Sequence, residues 1–435
     1  MPLFPASLSE AEVALRSGDG ALACKTVRSV LGYPAGAELA TTDFARSLAI
    51  LSSVGDDVLT RQTRQALCAA SADPTDVQAL FAVGYLLNAA GLPLVAATVL
   101  ARANALAPNI AELVNQLVSA LGRTGLHPDA YEVLHASRGA RQDNWHSRLA
   151  YSFHALLSGR VIEARQGFAL LGPPIDEATR ISYEQMTTYF ERHGLLSSSR
   201  LLHDWNLRSW HYVLSGGLLT HHSPDSTNRG MGGRYAFRHD TNDLIYEGVT
   251  NANRVLESWS MSPPRIVYSN DRSSEVLAHV WHKHTGKPIE PFLAQDLDRP
   301  GLFVAYDLAE ATPDFVQAVA VRRPGQLLVS HATCWTTQSP VTSDITTLLH
   351  ETNVAPWGAR LEFSTDTQRL EHCNADSKTP AEVLADGIIE TEISYIAAAD
   401  LGEVTTLAEL VGPPPTSGER DRFFVGSPVH SCRFV

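Results

Sequence analysis

Asp271, Asp307 and His331 have the side chains this chain would need for proton transfer, and each follows a short apolar run, in PPRIVYSND, LFVAYD and QLLVSH. Around them Ser269, Asn270, Ser273, Glu310 and Thr312 could supply hydroxyl, amide and carboxylate groups to a bound ligand. A second cluster, Gly230, Gly232, Gly233 and Arg234, could cradle an anion, because glycines expose backbone N–H groups and arginine adds a forked donor. His221, His222, His239 and Asp240 are metal-ligand types, yet no helix-fixed spacing unites them, and they read as solvated loop residues. His279 and His282 lie three apart, with His284 beyond, which reads as a surface helix face. His331 and Cys334 have the residue types of a base and a nucleophile, but a small buried cysteine is the commoner outcome. His350-Glu351 begins a metalloprotease motif that fails, since Val354 stands where the second histidine is required, and no G-x-S-x-G elbow is present. No metal site is expected, and no cofactor is indicated.

The elements that position these groups alternate from residue 261 onward. PPRIVYSN, KPIEPF, LFVAYDL and QLLVSHATCW read as strands, and SSEVLAHVWHKHTG and TPDFVQAVAVRRPG as helices. The order predicts a three-layer α/β domain, with helices on both faces of a mostly parallel sheet and any ligand at the carboxyl ends of the strands. Three polar loops then converge on one sheet edge, with Ser273 and Ser274 also suited to cap a helix. SDITTLLHETN is expected to be helical to about Asn353, and AEVLADGIIETEISYIAAADLGE to form a late helix. The Pro- and Ser-rich tail ends in apolar residues and is expected to fold back. Residues 265–335 resemble the type I phosphoribosyltransferase fold: a strand and loop lead to a helix ending Thr-Gly-Lys-Pro, then to an apolar strand ending in acid, then to Thr, helix and strand. Asp307 matches one acid of that family, Tyr306 stands where a second is usual, and Pro313 stands where Gly follows Thr312. The resemblance implies a site for a ribose and phosphate.

The first part of the chain, residues 8–172, carries an internal repeat. In VQALFAVGYLLNAAGLPLVAATVLARANALAP, residues 77–108, Leu80, Val83, Gly84, Leu87, Gly91, Ala96, Leu100, Ala103 and Pro108 fall at the spacing of a paired-helix unit. Leu117, Leu121, Gly125, Ala130 and Leu134 follow 34 residues on, and Tyr151, Ala155, Gly159, Ala164 and Phe168 a further 34. Small residues let two antiparallel helices approach, the glycine lies in the turn, and proline stops the second helix. This segment resembles the tetratricopeptide (TPR) repeat family, with two degenerate units upstream bringing the count to about four to five. The resemblance implies a solenoid that binds a protein or peptide through its concave groove, for which Leu80, Leu87 and Leu117 are the candidate lining. Residues 173–220 read as a helical extension reaching about Leu219 and bearing Trp205, Trp210 and Tyr212; residues 221–435 form the α/β domain, which opens with a long polar loop.

The whole chain, 435 residues with a hydrophobic fraction of 44 % and a charged fraction of 19 %, has the apolar content to fold throughout. A net charge of −13 argues against nucleic acid or an anionic membrane as the main partner. The five cysteines are odd in number and scattered, and no leader or membrane-spanning run is seen, so a cytoplasmic protein is expected. The sequence thus points first to an interaction protein that grips a partner through its repeats, with an α/β domain that is structural or senses a small anionic ligand. The alternative is an enzyme acting on a nucleotide, phosphoribosyl or other phosphorylated substrate at the strand ends.

Overall fold

The computed structural model describes residues 7–142, 144–199, 201, 206–223, 231–294, 298–364, 368–391 and 398–431. By internal contacts the chain divides into two units, Met1–Glu184 and Gln185–Val435. The first is helical: α1 (Leu8–Arg16), α2 (Gly20–Leu31), α3 (Thr41–Ser52), α4 (Arg61–Ala72), α5 (Val77–Ala89), α6 (Pro93–Leu106), α7 (Ala111–Arg123), α8 (His127–Ala136), the short α9 (Arg138–Gln142), α10 (Trp145–Leu157) and α11 (Val161–Ala169). The unit boundary falls within α12 (Glu177–Ser197).

Consecutive helices pack as hairpins, α1 with α2, α3 with α4, α5 with α6, α7 with α8 and α10 with α11. The TPR-like period is visible in the backbone. The hairpin glycines Gly91, Gly125 and Gly159 take φ of 78°, 76° and 74°, a left-handed conformation that a Cβ would penalise. Each lets the next N–H, of Leu92, Leu126 or Arg160, reach back to the carbonyl of Leu87, Leu121 or Ala155 at 2.9, 3.0 and 2.9 Å, which closes the helix end. Gly84 allows the close crossing of α5 and α6, since a Cβ there would collide with the Leu100 side chain.

Leu80, Leu87 and Leu117 do not line a groove. They are 0 %, 0 % and 1 % exposed and belong to the continuous core of the stack. The apolar stripe of each helix is consumed by packing on its neighbours, where full burial of one such leucine is worth about 1.5–3 kcal/mol. The exposed positions of α5 are instead Gln78, Ala82, Tyr85 and Ala89, and those of α7 are Glu112, Ser119 and Arg123.

The second unit contains α13 (Leu207–Ser215), β1 (Leu218–Leu219), β2 (Tyr235–His239), α14 (Asn242–Ser258), β3 (Ile266–Tyr268), α15 (Arg272–Thr285), β4 (Ile289–Pro291), β5 (Gly301–Asp307), α16 (Pro313–Val319), β6 (Val321–Arg322), β7 (Gln326–Cys334), β8 (Ile345–Val354), β9 (Arg360–Ser364), β10 (Arg369–Cys373), α17 (Ala381–Ile389), α18 (Ala398–Val411) and β11 (Gly418–Glu419). The main sheet runs β1-β8-β7-β5-β3-β4, and β2 pairs with β8 beyond β1; every pairing in it is parallel. Taking β3, β4, β5, β7 and β8 in chain order, the spatial order is the doubly wound 2-1-3-4-5, whose switch point lies between β3 and β5. Helices α14 and α15 lie together against the sheet, and α16 packs Phe315 and Val319 on Phe303, Ala305 and Leu328.

Several expectations are corrected here. The stretch expected to be helical to Asn353 is the strand β8, because Ile345, Thr346 and Thr347 are β-branched and all of Ile345–His350 is buried, so no alternation betrays the strand. The helical extension ends at Ser215, where Gly216 takes φ 74°, and Leu218–Leu219 is a strand. Part of the polar loop is β2, which pairs with β8. Helix α14 was not expected at all, although Leu244, Ile245, Gly248, Val249, Ala252, Val255 and Leu256 give it a buried helical stripe. The late helix is two helices, with residues 392–397 outside those described. The tail does fold back: Arg420 N–H donates to the Ala320 carbonyl at 2.8 Å, Thr342 N–H to that of Asp421 at 2.8 Å and Phe423 N–H to that of Ser339 at 3.1 Å. Its anchor is an ion cluster in which Asp344, 1 % exposed, meets Arg420 at 2.5 Å and also Arg322. Burial alone would raise the Asp344 carboxyl, but the two guanidinium groups hold it below its ordinary value.

Candidate acid–base site at the sheet switch point

Helix α15 begins directly after β3, with Asp271 as its N-cap: Oδ1 accepts the Ser274 N–H at 2.8 Å, while the buried Oδ2 has no hydrogen-bond partner among the described residues. At the end of the neighbouring strand, Asp307 organises its own loop. Its Oδ1 accepts the Ala309 N–H at 2.9 Å, and its backbone carbonyl accepts Glu310 N–H at 3.1 Å and Ala311 N–H at 3.0 Å. Its Oδ2 lies 2.7 Å from His350 Nε2, with both side chains 5 % exposed. That is ion-pair distance, although the imidazole N–H lies off the line of a hydrogen bond, and His350 Nδ1 is buried without a partner among the described residues.

Glu310 completes the group. Although Glu310 is exposed, partial desolvation raises its carboxyl above the ordinary value, the charges of Asp307 and Asp271 raise it further, and His350 opposes them. Asp271, Asp307 and His350 are close enough for their charges to act on Glu310, and Asp271 and Asp307 follow β3 and β5, the two strands that flank the switch point. Chemically, this is a carboxylate–imidazole pair beside a carboxyl group that holds its proton to higher pH than usual, which suits general acid and base roles.

The crevice is poorly built for phosphate. The Thr312 N–H donates to Ser269 Oγ at 3.0 Å, so the amides of Ala309, Glu310, Ala311 and Thr312 are all used within the protein. No phosphate cradle of free N–H groups is left in that loop, and three carboxyl groups surround it. The phosphoribosyltransferase resemblance therefore finds no support in the loop where its phosphate contacts would lie.

The other expected ligand-binding groups have structural partners. Ser269 is fully buried on Thr312; Asn270 Nδ2 donates to the Phe292 carbonyl at 2.8 Å; Ser273 Oγ accepts the Trp357 indole N–H at 3.1 Å. Ser274 does not cap its helix but accepts the Tyr306 N–H at 2.9 Å. Arg234 is 3 % exposed and lies away from the crevice, donating to the carbonyls of Met231 and Val429 at 3.4 and 3.3 Å; Gly230 lies outside the described residues.

His331 belongs to a second network. Its Nε2 is 2.7 Å from Asp240 Oδ2, and the same oxygen accepts the Tyr306 hydroxyl at 2.5 Å. Asp240 Oδ1 accepts the Thr241 N–H at 2.9 Å. Burial pushes the Asp240 carboxyl up, but the His331 charge and the hydrogen bonds from His331, Tyr306 and Thr241 outweigh it and hold the carboxyl below its ordinary value. Asp240, expected to be solvated, is 1 % exposed, and His221 stacks on Tyr235 with its Nε2 2.7 Å from the phenol oxygen. His331 is thus committed to Asp240 and is no base for Cys334, whose thiol lies near Thr336 Oγ1 at 3.3 Å. Among the described residues, no group of three or more His, Cys, Asp or Glu side chains is placed to hold a metal ion.

The sequence reading missed His350 and the carboxylate role of Asp240. His350 would have emerged had the run from Ile345 been read as a strand, since it then pairs with Cys334 at the carboxyl end of β7.

No family model matches this chain, and no curated protein matches it. Among solved structures it is similar to an O-GlcNAc transferase mutant from Thermobaculum terrenum, at 18 % identity over 75 % of this chain and with a TM-score of 0.19. The chain spans 52 % of that structure's length. No helix among the described residues is long and apolar enough to cross a membrane.

Proposed function

We propose that the α/β unit binds a small polar ligand without net negative charge and acts on it by proton transfer, while the helical repeats bind a protein or peptide partner. The observation that carries the catalytic reading is the short His350–Asp307 contact beside a Glu310 carboxyl raised by partial desolvation and neighbouring acids. In this reading Asp307 holds the proton on His350 Nε2, which leaves Nδ1 free to accept a proton from a ligand hydroxyl or amine. Glu310, protonated to higher pH than an ordinary glutamic acid, returns a proton to the departing or developing group. The off-line His350–Asp307 geometry is what a site awaiting its ligand commonly has, and ligand contact would align it. The acidic lining and the occupied amides favour a polyol, amine or nucleoside over a phosphorylated compound. For the repeats, support comes from the TPR-like stack and from apolar side chains left on its surface, among them Tyr85 at 52 % and Leu106 at 50 % exposure.

A thermal-shift screen of the full chain tests the ligand class, with matched polyols, amines and nucleosides alongside their phosphorylated forms. The largest stabilisation is expected from an unphosphorylated compound, and Asp307→Asn is expected to abolish it. A stabilisation confined to the phosphorylated forms would refute the ligand class, and one that survives Asp307→Asn would remove the ligand from this crevice.

A further inference from the structure

The second unit also has a small cavity with a buried arginine in its wall. One turn-and-repeat face of α13, with Leu207, Trp210, His211 and Leu214 at i, i+3, i+4 and i+7, forms one wall; Arg234 and Trp335 form another, and the returning tail segment 423–427 covers it. The free space is about 20 Å³, enough for one water-sized body.

Three observations bear on what fills it. Arg234 is 3 % exposed, and its only described partners are two backbone carbonyls and the Trp335 ring, 5.3 Å from the guanidinium carbon. Burial lowers it to about 10, and no carboxylate contributes an opposing pull. The Trp210 indole nitrogen, in a residue 1 % exposed, has no hydrogen-bond partner among the described residues, and neither has His211 Nε2, in a residue 5 % exposed. His211 is held neutral, its value lowered to about 3 by burial and then by the Arg234 charge, so its unpartnered nitrogen can present an N–H without adding charge. Among the described residues no carboxylate stands against this buried guanidinium, and an unpartnered indole N–H in the lining of the same cavity adds to the cost of burial. Among the described residues, no Asp or Glu lines the cavity.

We propose that this cavity is a buried site for a single halide-sized anion, chloride in solution, held by the Arg234 guanidinium, the Trp210 indole N–H and His211 Nε2–H. The volume decides between anions: one monatomic ion fits where a phosphate or sulfate does not. The ion neutralises Arg234 and fastens the tail over α13. This site is separate from the switch-point crevice and stands whether or not that crevice is catalytic.

Crystals of the full chain grown or soaked in bromide test the site by anomalous scattering. An anomalous peak between Trp210 and Arg234 is expected; an ordered water there with no anomalous signal would overturn the proposal. In solution, exchanging gluconate for bromide or chloride at constant ionic strength is expected to raise the Tm of the wild-type protein. Because Arg234→Met could fail to fold, the companion variant is Trp210→Phe, which keeps an aromatic ring and removes the N–H. The halide-dependent rise should fall by more than half in Trp210→Phe, and an undiminished rise would rule out this cavity as its source.

Discussion

The two histidine–carboxylate pairs of the α/β unit have the same separation, 2.7 Å, and opposite surroundings. Asp240 is saturated: it accepts from His331, from the Tyr306 hydroxyl and from its neighbour's amide, and His331 and Tyr306 also stack, with ring centroids 5.2 Å apart. The carboxylate is taken up within the protein and works as a polar keystone between the start of α14 and the sheet. Asp307 and His350 are at the switch point, off the hydrogen-bond line, with an unpartnered ring nitrogen and a raised glutamic acid beside them. A short His–Asp distance by itself therefore does not mark a catalytic pair, and the proposed role of Asp307 and His350 rests on their unspent hydrogen-bonding capacity.

The contrast can be broken by mutation. Asp240→Ala strips a buried histidine and a buried tyrosine of their shared acceptor and is expected to cost about 3–5 kcal/mol in chemical denaturation. Asp307→Ala should cost about 1–2 kcal/mol, since its loop loses one amide contact and one off-line pair. Equal losses from the two variants would erase the distinction. On ligand turnover the order reverses: His350→Gln is expected to lower kcat about 100-fold or more with little change in stability, and unchanged turnover would remove His350 from the chemistry.

The pH response sharpens the same comparison. The Asp240 carboxyl is depressed below its ordinary 3.8 in the folded chain, so on acidification the unfolded chain takes up its proton first. Its stabilisation is therefore complete above the ordinary value and is lost as pH falls from there through the depressed one. Acid unfolding followed by circular dichroism should show this loss in the wild-type protein and a flatter response in Asp240→Asn. Glu310 has the opposite sign: raised in the folded chain, it favours folding less as pH rises above 4.5. The smallest expected effect is kinetic, a limb in the pH–rate profile above 4.5 that disappears in Glu310→Gln; a limb that persists would assign the titration to another group.

How much of this was legible in sequence follows from the kind of signal each part leaves. The repeats were readable because a turn glycine recurs at 91, 125 and 159, and each takes a positive φ that little else tolerates. The same pattern misassigned Leu80, Leu87 and Leu117, because periodicity shows which face is apolar but not whether another helix covers it. Asp271, Asp307 and Glu310 could be placed at strand ends because each follows an apolar run bounded by polar residues. His350 and Asp240 could not. Strand β8 is buried on both sides and so lacks alternation, and Asp240 sits in a stretch whose glycines and histidines look like solvated loop until β2 is seen pairing with β8.

The central claim, that the Asp307–His350–Glu310 crevice binds an uncharged or cationic ligand, is tested most directly by calorimetric titration of the strongest unphosphorylated ligand from the screen. Wild-type protein, Asp307→Asn and Asp240→Asn would be compared at temperatures where all three are folded. Binding to wild type and to Asp240→Asn is expected, with a loss of 10-fold or more in affinity in Asp307→Asn, about 1.4 kcal/mol. Equal affinity in wild type and Asp307→Asn would contradict it.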